Sequence, residues 1–186
     1  MKISFIISIC ILFFGCKDIS RTEDIKKSEE VLLDVFSSKD GLASRCIAED
    51  FQSHFLNSLP DLKDFFITEL KIQDLDHFEK QFELFSNFKM GSELFPDMNI
   101  IQESQIEMYN NIVSEDEMVN SGLFEMGCEY GYYSMSKPFF NEDYSLALVE
   151  FANFCGHGLC GGGRTAIYKN KNGVWAEVKV LNSWIG

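Results

Sequence analysis

An apolar run close to the start of the chain decides which residues are available for folding. Lys2 gives a positive end, residues 3–14 are almost wholly apolar, and the small residue Gly15 precedes Cys16. This order is typical of an export signal that is cleaved from the mature protein. We therefore leave residues 1–15 out of the predicted fold.

A membrane-spanning helix is the other structure that such a run could form. Its twelve residues, at about 1.5 Å each, reach roughly 18 Å, whereas the hydrocarbon core of a bilayer is about 30 Å thick. Lys17 and Asp18 follow almost at once, so the run cannot be extended. Its length therefore favours an export signal.

The junction between Gly15 and Cys16 resembles the lipobox of bacterial lipoproteins. The resemblance implies that Cys16 is acylated and that palmitate-type chains anchor the protein in the outer membrane, on its periplasmic or cell-surface side. Two or more acyl chains hold a protein stably at a membrane. Lys17-Asp18 is similar to part of the surface-export signal of Bacteroidota-type lipoproteins. The alternative to the lipobox is an ordinary cleaved signal in which Cys16 is incidental. The alternative to the surface-export signal is a plain solvated tether.

The remaining chain is long enough for a substantial core, and it is acidic. Removing residues 1–15 from the 186 leaves 171, which suits a tether at 16–24 and one domain over 25–186. The formal charge is −13 and becomes −14 when Lys2 leaves with the signal. Because a negative surface repels phosphates, we expect no nucleic-acid partner and membrane contact through the N-terminal lipid alone.

Four cysteines remain once the signal is removed and Cys16 is acylated. In an oxidising compartment, an even number of thiols indicates disulfides, and three pairings are possible. The pairing with a local bridge joins Cys155 to Cys160 and leaves Cys46 with Cys128. The chain-entropy relation gives about 2 kcal/mol for the short loop and about 4–5 kcal/mol for the long one.

The first part of the chain shows helical periodicity. The predicted helical stretches are residues 25–36, 42–55, 75–85 and, less clearly, 62–72. Ser104 and Ser114 each begin a capping-box sequence, which predicts two further short helices. We therefore expect helices over about residues 25–126.

From Tyr130 onwards the apolar period changes to that of strands. The predicted strands are residues 130–138, 144–154, 164–169 and 174–184. Asn172-Gly173 predicts a tight hairpin between the last two. Short connections make this four-stranded sheet, at about residues 130–184, an antiparallel meander. The predicted fold class is α+β, with the helical N-terminal part packed on one face of the C-terminal meander.

A dense run of cysteine and glycine joins the second and third predicted strands. Residues 155–163 contain two cysteines, His157 and five glycines. We interpret the run as a hairpin loop closed by a disulfide between Cys155 and Cys160. A metal site that uses both thiolates and His157 is a weaker alternative, because a structural zinc site needs four ligands. Thiol redox chemistry lacks the usual two-residue spacing, and we predict no cofactor.

No catalytic motif in the sequence is specific enough to assign an activity. The Gly-x-Ser-x-Gly elbow of hydrolases does not occur. Acidic pairs such as Glu49-Asp50 are expected in a chain with 29 acidic residues. The other histidines, His54 and His77, lie on predicted helices far from the glycine-rich loop. We lean against an enzyme, and an envelope or extracellular hydrolase is the alternative.

The last third of the chain resembles a recurrent module of uncharacterised bacterial lipoproteins. The resemblance rests on the order of residues 134–140, residues 147–149, the glycine-rich loop and residues 171–175. It covers roughly residues 130–186, and it implies an α+β secreted domain without a known catalytic role. We therefore expect a lipid-anchored extracytoplasmic protein with a structural role or with an unknown protein or small ligand as its partner.

Overall fold

A computed structural model of the chain describes most of the residues that follow the predicted signal. The described residues are 23–37, 44–51, 55–56, 59–86, 88–111, 117, 122–155 and 161–186. Cys16 and nearly all of the helix predicted after Ser114 lie outside them. Within the described ranges, no helix is both long enough and apolar enough to cross a membrane.

Four of the predicted helices are confirmed. The helices are α1 over residues 23–37, α2 Leu62–Leu70, α3 Leu75–Ser86 and α4 Glu103–Asn111. The start of α4 differs from the prediction, because Gln105 Oε1 accepts a hydrogen bond from the Gln102 backbone N–H at 2.9 Å. This is the returning half of a capping box centred on Gln102, so Ser104 lies inside the helix rather than at its cap.

The C-terminal strands form the predicted antiparallel meander. The strands of the sheet are β1 Cys46–Ala48, β2 Asn99–Ile101, β3 Tyr132–Met135, β4 Phe139–Phe140, β5 Leu146–Phe154, β6 Gly161–Lys171 and β7 Val174–Ile185. β5 pairs with β3, β4 and β6, and β6 pairs with β7, all in antiparallel orientation. Asn172 and Gly173 have φ angles of 57° and 88°, as the predicted tight turn requires. The fold class is α+β.

The helix predicted over residues 42–55 is wrong where the structure describes it. Cys46–Ala48 is strand β1, which pairs in parallel with β2 on one side and with β3 on the other. All three of its residues are buried. A strand inside a sheet that is covered on both faces loses its polar alternation, so its apolar run does not distinguish strand from helix.

Helices cover both faces of the sheet, whereas the sequence analysis placed them on one. Successive residues of a strand point to opposite faces. On β5, Val149 belongs to a core cluster with Val31 and Leu32 of α1, whereas Leu148 packs in a second cluster with Phe66 of α2. The sheet, in the order β2-β1-β3-β5-β6-β7, therefore lies between two helical layers.

A buried ion pair joins α1 to the sheet. Lys137, between β3 and β4, places Nζ 2.9 Å from Oδ2 of Asp24 on α1, and the two side chains are only 4% and 1% exposed. Nζ also donates to the Pro138 carbonyl oxygen at 3.0 Å. Asp24 Oδ1 accepts from Gln81 Nε2 of α3 at 2.5 Å, and Gln81 Oε1 accepts from the Phe140 N–H at 3.2 Å. Burial lowers the pKa of Lys137, and the attraction of Asp24 opposes this shift.

Replacing Lys137 by Met should lower the free energy of unfolding by about 3–5 kcal/mol, because it leaves the Asp24 carboxylate buried without its cation. Urea titration at neutral pH measures this loss. Lys63→Met is the matched control, since Lys63 and Glu79 form an exposed pair at 2.7 Å whose loss should change stability by about 1 kcal/mol or less. Equally small effects of the two substitutions would contradict a structural role for the buried pair.

Candidate functional site

A pocket of about 360 Å³ opens where β1 and β2 pair in parallel at one side of the sheet. This volume lies within the range of small-molecule sites, about 300–1,000 Å³. The pocket is built from the residue before β1, the first residue of β2, and the segment of residues 122–131, which we call the pocket turn. The residues that line it are Arg45, Asn99, Phe124, Glu125, Met126, Gly127 and Glu129.

Hydrogen bonds join the three segments around the pocket. The Asn99 backbone N–H donates to the Arg45 carbonyl oxygen at 2.7 Å, and the Arg45 N–H donates to the Gly127 carbonyl oxygen at 3.1 Å. The Asn99 side chain donates through Nδ2 to the Met126 carbonyl oxygen at 2.5 Å. Two backbone hydrogen bonds and one from the Asn99 side chain therefore join the three segments to one another.

A disulfide between Cys46 and Cys128 fixes the pocket turn to β1. The two residues are 82 positions apart in sequence, their Cα atoms are 5.4 Å apart, and both are fully buried. Around them lies a core cluster that includes Ile101 of β2, Tyr109 of α4 and Tyr132 of β3. Arg45 is therefore held against the turn by the covalent bond of its neighbour in sequence.

Glycines allow the pocket turn to fold back closely on the strands. Gly127 has a φ of +76°, and a Cβ at this position would lie 3.2 Å from the Cβ of Arg45. Gly131 has a φ of +113°, and a Cβ there would overlap the carbonyl oxygen of Phe154 at the end of β5. Other residues rarely adopt such φ values, so the path of the turn depends on glycine at these two positions.

Two groups of opposite charge line the pocket without a partner among the described residues. Oε2 of Glu129 is buried and has no hydrogen-bond partner there. Arg45 is exposed, and the ion pairs in the described part of the chain engage other cations. These cations are Lys27, Lys63, Lys89, Lys137, Arg164 and Lys179. Since a buried polar atom without a partner costs about 1–3 kcal/mol, this oxygen does not stabilise the fold. It also has no surface that a molecule in the pocket could contact.

The lining side chains offer charged groups of both signs and some apolar surface. Arg45 offers a guanidinium, and Glu125 and Glu129 offer carboxylates. Phe124, which is 52% exposed, and Met126 add apolar surface. The residues that line the pocket include no Ser, Cys or His.

The cysteine and glycine loop is described only at its ends. Cys155 directly follows β5, and the Asn153 side chain lies 3.9 Å from its Sγ. His157 and Cys160 lie outside the described residues. The Cys155–Cys160 disulfide and the weaker metal site of Cys155, His157 and Cys160 therefore stay predictions.

His77 has a structural contact at the start of α3. Its Nε2 lies 3.0 Å from the carbonyl oxygen of Phe140, and its ring packs edge-on against Tyr144 at 6.2 Å between centroids. His54 lies outside the described residues. In the described ranges, no group of three or more His, Cys, Asp or Glu side chains is arranged to hold a metal ion.

The sequence analysis did not identify Arg45 or Glu129 as site residues. Neither belongs to a motif, and Arg45 falls in the stretch that was predicted to be a helix. One sequence signal was available, because a Cys46–Cys128 disulfide necessarily brings the neighbours of the two cysteines together. Those neighbours include Arg45 on one side and Glu129 on the other.

In comparisons with known proteins, no family model, no curated protein and no solved structure matches this chain.

The double substitution Cys46→Ala and Cys128→Ala should lower the free energy of unfolding by about 4–5 kcal/mol, because the bond closes a loop of 82 residues. Urea titration without reductant gives the value. Each single substitution breaks the same bond and should therefore destabilise the protein about as much as the double substitution. A double variant within about 1 kcal/mol of the unchanged protein would show that the bond does not stabilise the fold.

Proposed function

We propose that this chain is a lipid-anchored, extracytoplasmic binding protein whose ligand site is the pocket beside the Cys46–Cys128 disulfide. The observation that carries the proposal is an open pocket lined by charged residues of both signs, Arg45, Glu125 and Glu129. A polar ligand would provide charges opposite to these side chains.

The structure gives the charge of Glu129 no role in folding. Its Oε2 is buried without a hydrogen-bond partner among the described residues, so replacing the carboxylate by the neutral amide of Gln lowers a desolvation cost. Sites that are costly for stability are typical of functional surfaces. The disulfide and the surrounding hydrogen bonds support the pocket before a ligand arrives, which reduces the ordering cost of binding.

The proposed location rests on the sequence at the N-terminus. The order of Lys2, the apolar run, Gly15 and Cys16 supports export followed by acylation of Cys16. The disulfide of the folded part is consistent with an oxidising compartment outside the cytoplasm. We place the protein at the outer membrane, with its lipid as the membrane contact and a small ligand or protein as its other partner.

Binding at the pocket can be tested without knowing the ligand. The probes are a library of small organic cations, anions and zwitterions, and the measurement is the ¹H–¹⁵N spectrum of the labelled protein during titration. At least one class should shift the amide signals of Arg45, Asn99, Gly127 and Glu129 together. The affinity obtained from these shifts should fall at least tenfold in Arg45→Gln or Glu129→Gln.

Control substitutions of the same charge outside the pocket test whether binding depends on the pocket residues or only on the overall charge of the protein. Arg164→Gln removes a cation that pairs with Glu177 on β7, and Glu107→Gln removes an exposed acid of α4. Neither residue lines the pocket, so neither substitution should change the titration. Glu129→Gln should unfold at the same urea concentration as the unchanged protein or at a higher one. If no class of probe shifts the pocket amides, the pocket is not a ligand site.

Acylation of Cys16 is tested by growth with labelled palmitate. The unchanged chain should take up the label, and globomycin, which blocks the lipoprotein signal peptidase, should cause an unprocessed form of lower mobility to accumulate. Cys16→Ser should abolish the label. Unchanged mobility under globomycin together with no label on Cys16 would contradict the lipid anchor.

A further inference from the structure

The last strand of the sheet offers a second surface, which the proposed pocket does not use. In the order β2-β1-β3-β5-β6-β7, the pocket lies beside β2 and β1, and β7 is the strand at the opposite side. We propose that β7 binds an extended, acidic segment of a partner protein, which adds to the sheet as a further strand. This inference goes beyond the proposed function and does not depend on it.

β7 has the length and the open side that strand addition requires. It runs over twelve residues, Val174–Ile185, and among the described residues it pairs with β6 alone. An edge strand presents a row of backbone N–H and C=O groups to which an extended peptide can bond. The Trp175 N–H donates to Asp34 Oδ2 at 2.8 Å, so a partner would pair with the residues that follow Trp175.

Apolar side chains are exposed along the same strand. Val178 and Val180 are 48% and 47% exposed. Val174 and Ile185, at the two ends, are 61% and 93% exposed. Edge strands are commonly protected by charged side chains or bulges, because an exposed apolar edge pairs readily with another chain. β7 does have bulges, at Val178 and Leu181, yet its valines remain in contact with solvent and available to a partner.

The hairpin of β6 and β7 is basic, although the chain as a whole is acidic. Residues 161–186 carry a net charge of +3, whereas the complete chain carries −13, so residues 1–160 carry −16. The charged side chains of the hairpin are Arg164, Lys169, Lys171, Glu177 and Lys179. A positive edge strand on a negative protein favours a partner segment of negative charge.

Three of the lysines lie on one face of the hairpin. Tyr168 belongs to the core cluster that contains α1 residues, so Lys169 and Lys171 alternate to the opposite face of the sheet. Lys179 lies on that opposite face as well, because its Nζ is 2.6 Å from Oε2 of Glu69 on α2. The positive charge is therefore collected on the α2 side of the hairpin.

Two of these lysines are available to a partner. Lys169 and Lys171 are both exposed, and neither takes part in the ion pairs of the described residues. Lys169 pairs across the hairpin with Ala176 of β7. Because the side chain of Ala176 is small, a long lysine side chain can cross it and reach a carboxylate on a strand beyond β7.

The charge of the hairpin disfavours a second copy of this chain as the occupant. Two copies that paired through β7 would bring two basic hairpins together, and like charges on neighbouring strands are destabilising. An acidic segment would instead place its carboxylates beside Lys169 and Lys171, while its backbone bonds to β7 and its apolar side chains contact the exposed valines.

Isothermal titration calorimetry with synthetic peptides tests the proposal on the complete processed protein, extracted from membranes in detergent. The probes are peptides as long as β7 in which glutamate alternates with valine, isoleucine, threonine or phenylalanine. One control set has lysine in place of every glutamate, and the other has a methyl group on every backbone nitrogen. At least one acidic peptide should bind ten times more tightly than both of its controls, because these reverse the charge or remove the N–H groups.

Substitutions on the hairpin test the assigned contacts. Lys169→Gln combined with Lys171→Gln should weaken binding of the acidic peptide about threefold or more, because two exposed charge pairs are lost. Val178→Glu should weaken it at least tenfold, because it replaces an apolar contact by a like charge. The matched controls are Lys26→Gln and Ile25→Glu, at exposed positions on α1, and they should leave the affinity unchanged.

The ¹H–¹⁵N spectrum locates the bound peptide. The amide signals of residues 176–183 should shift, and those of Arg45 and Gly127 at the pocket should not. Failure of every acidic peptide to bind, or equal binding of an acidic peptide and its N-methylated control, would overturn the inference. So would a dimer in sedimentation that Val178→Glu dissociates, since β7 would then bind a second copy. These outcomes leave the pocket untested, so the proposed function stands or fails separately.

Discussion

The covalent bond between Cys46 and Cys128 is the constraint on which the pocket depends. It links a three-residue strand inside the sheet to a turn that lies 82 residues later in the chain. The residues next to these two cysteines, Arg45 and Glu129, carry the charges of the proposed site. Hydrogen bonds from Asn99 to Arg45 and Met126, and from the Arg45 N–H to the Gly127 carbonyl oxygen, then set the spacing of the walls. Because the bond requires oxidising conditions, the proposed export would bring the chain to a compartment where the pocket can form.

A framework fixed in this way can hold polar groups in positions that do not stabilise the fold. The core clusters on the two faces of the sheet and the buried pair of Lys137 and Asp24 supply stability away from the pocket. The buried oxygen of Glu129 has no partner among the described residues and does not stabilise the fold. In the proposed site, charges held by strands and a disulfide-bonded turn would meet a ligand without first being rearranged.

Most of the regular structure could be predicted from the sequence, because the periodicities of α1 and α3 and of the C-terminal strands are long and clear. The Asn172-Gly173 turn was predictable from the preference of these residues for positive φ. Strands β1 and β2 were not, since each has three residues and β1 is apolar throughout. The site was not predictable from motifs either, because Arg45, Asn99 and Glu129 come together only through long-range pairing. The disulfide hypothesis contained this information, but it did not say which neighbouring side chains would face a common pocket.

A crystal structure of the protein is the most direct measurement of the central claim, that the Cys46–Cys128 bond builds a pocket with charged walls. The account predicts a closed disulfide, with Arg45, Asn99 and the pocket turn around an open pocket. Reduced cysteines, or Arg45 and Glu129 paired directly with each other in a closed pocket, would contradict it.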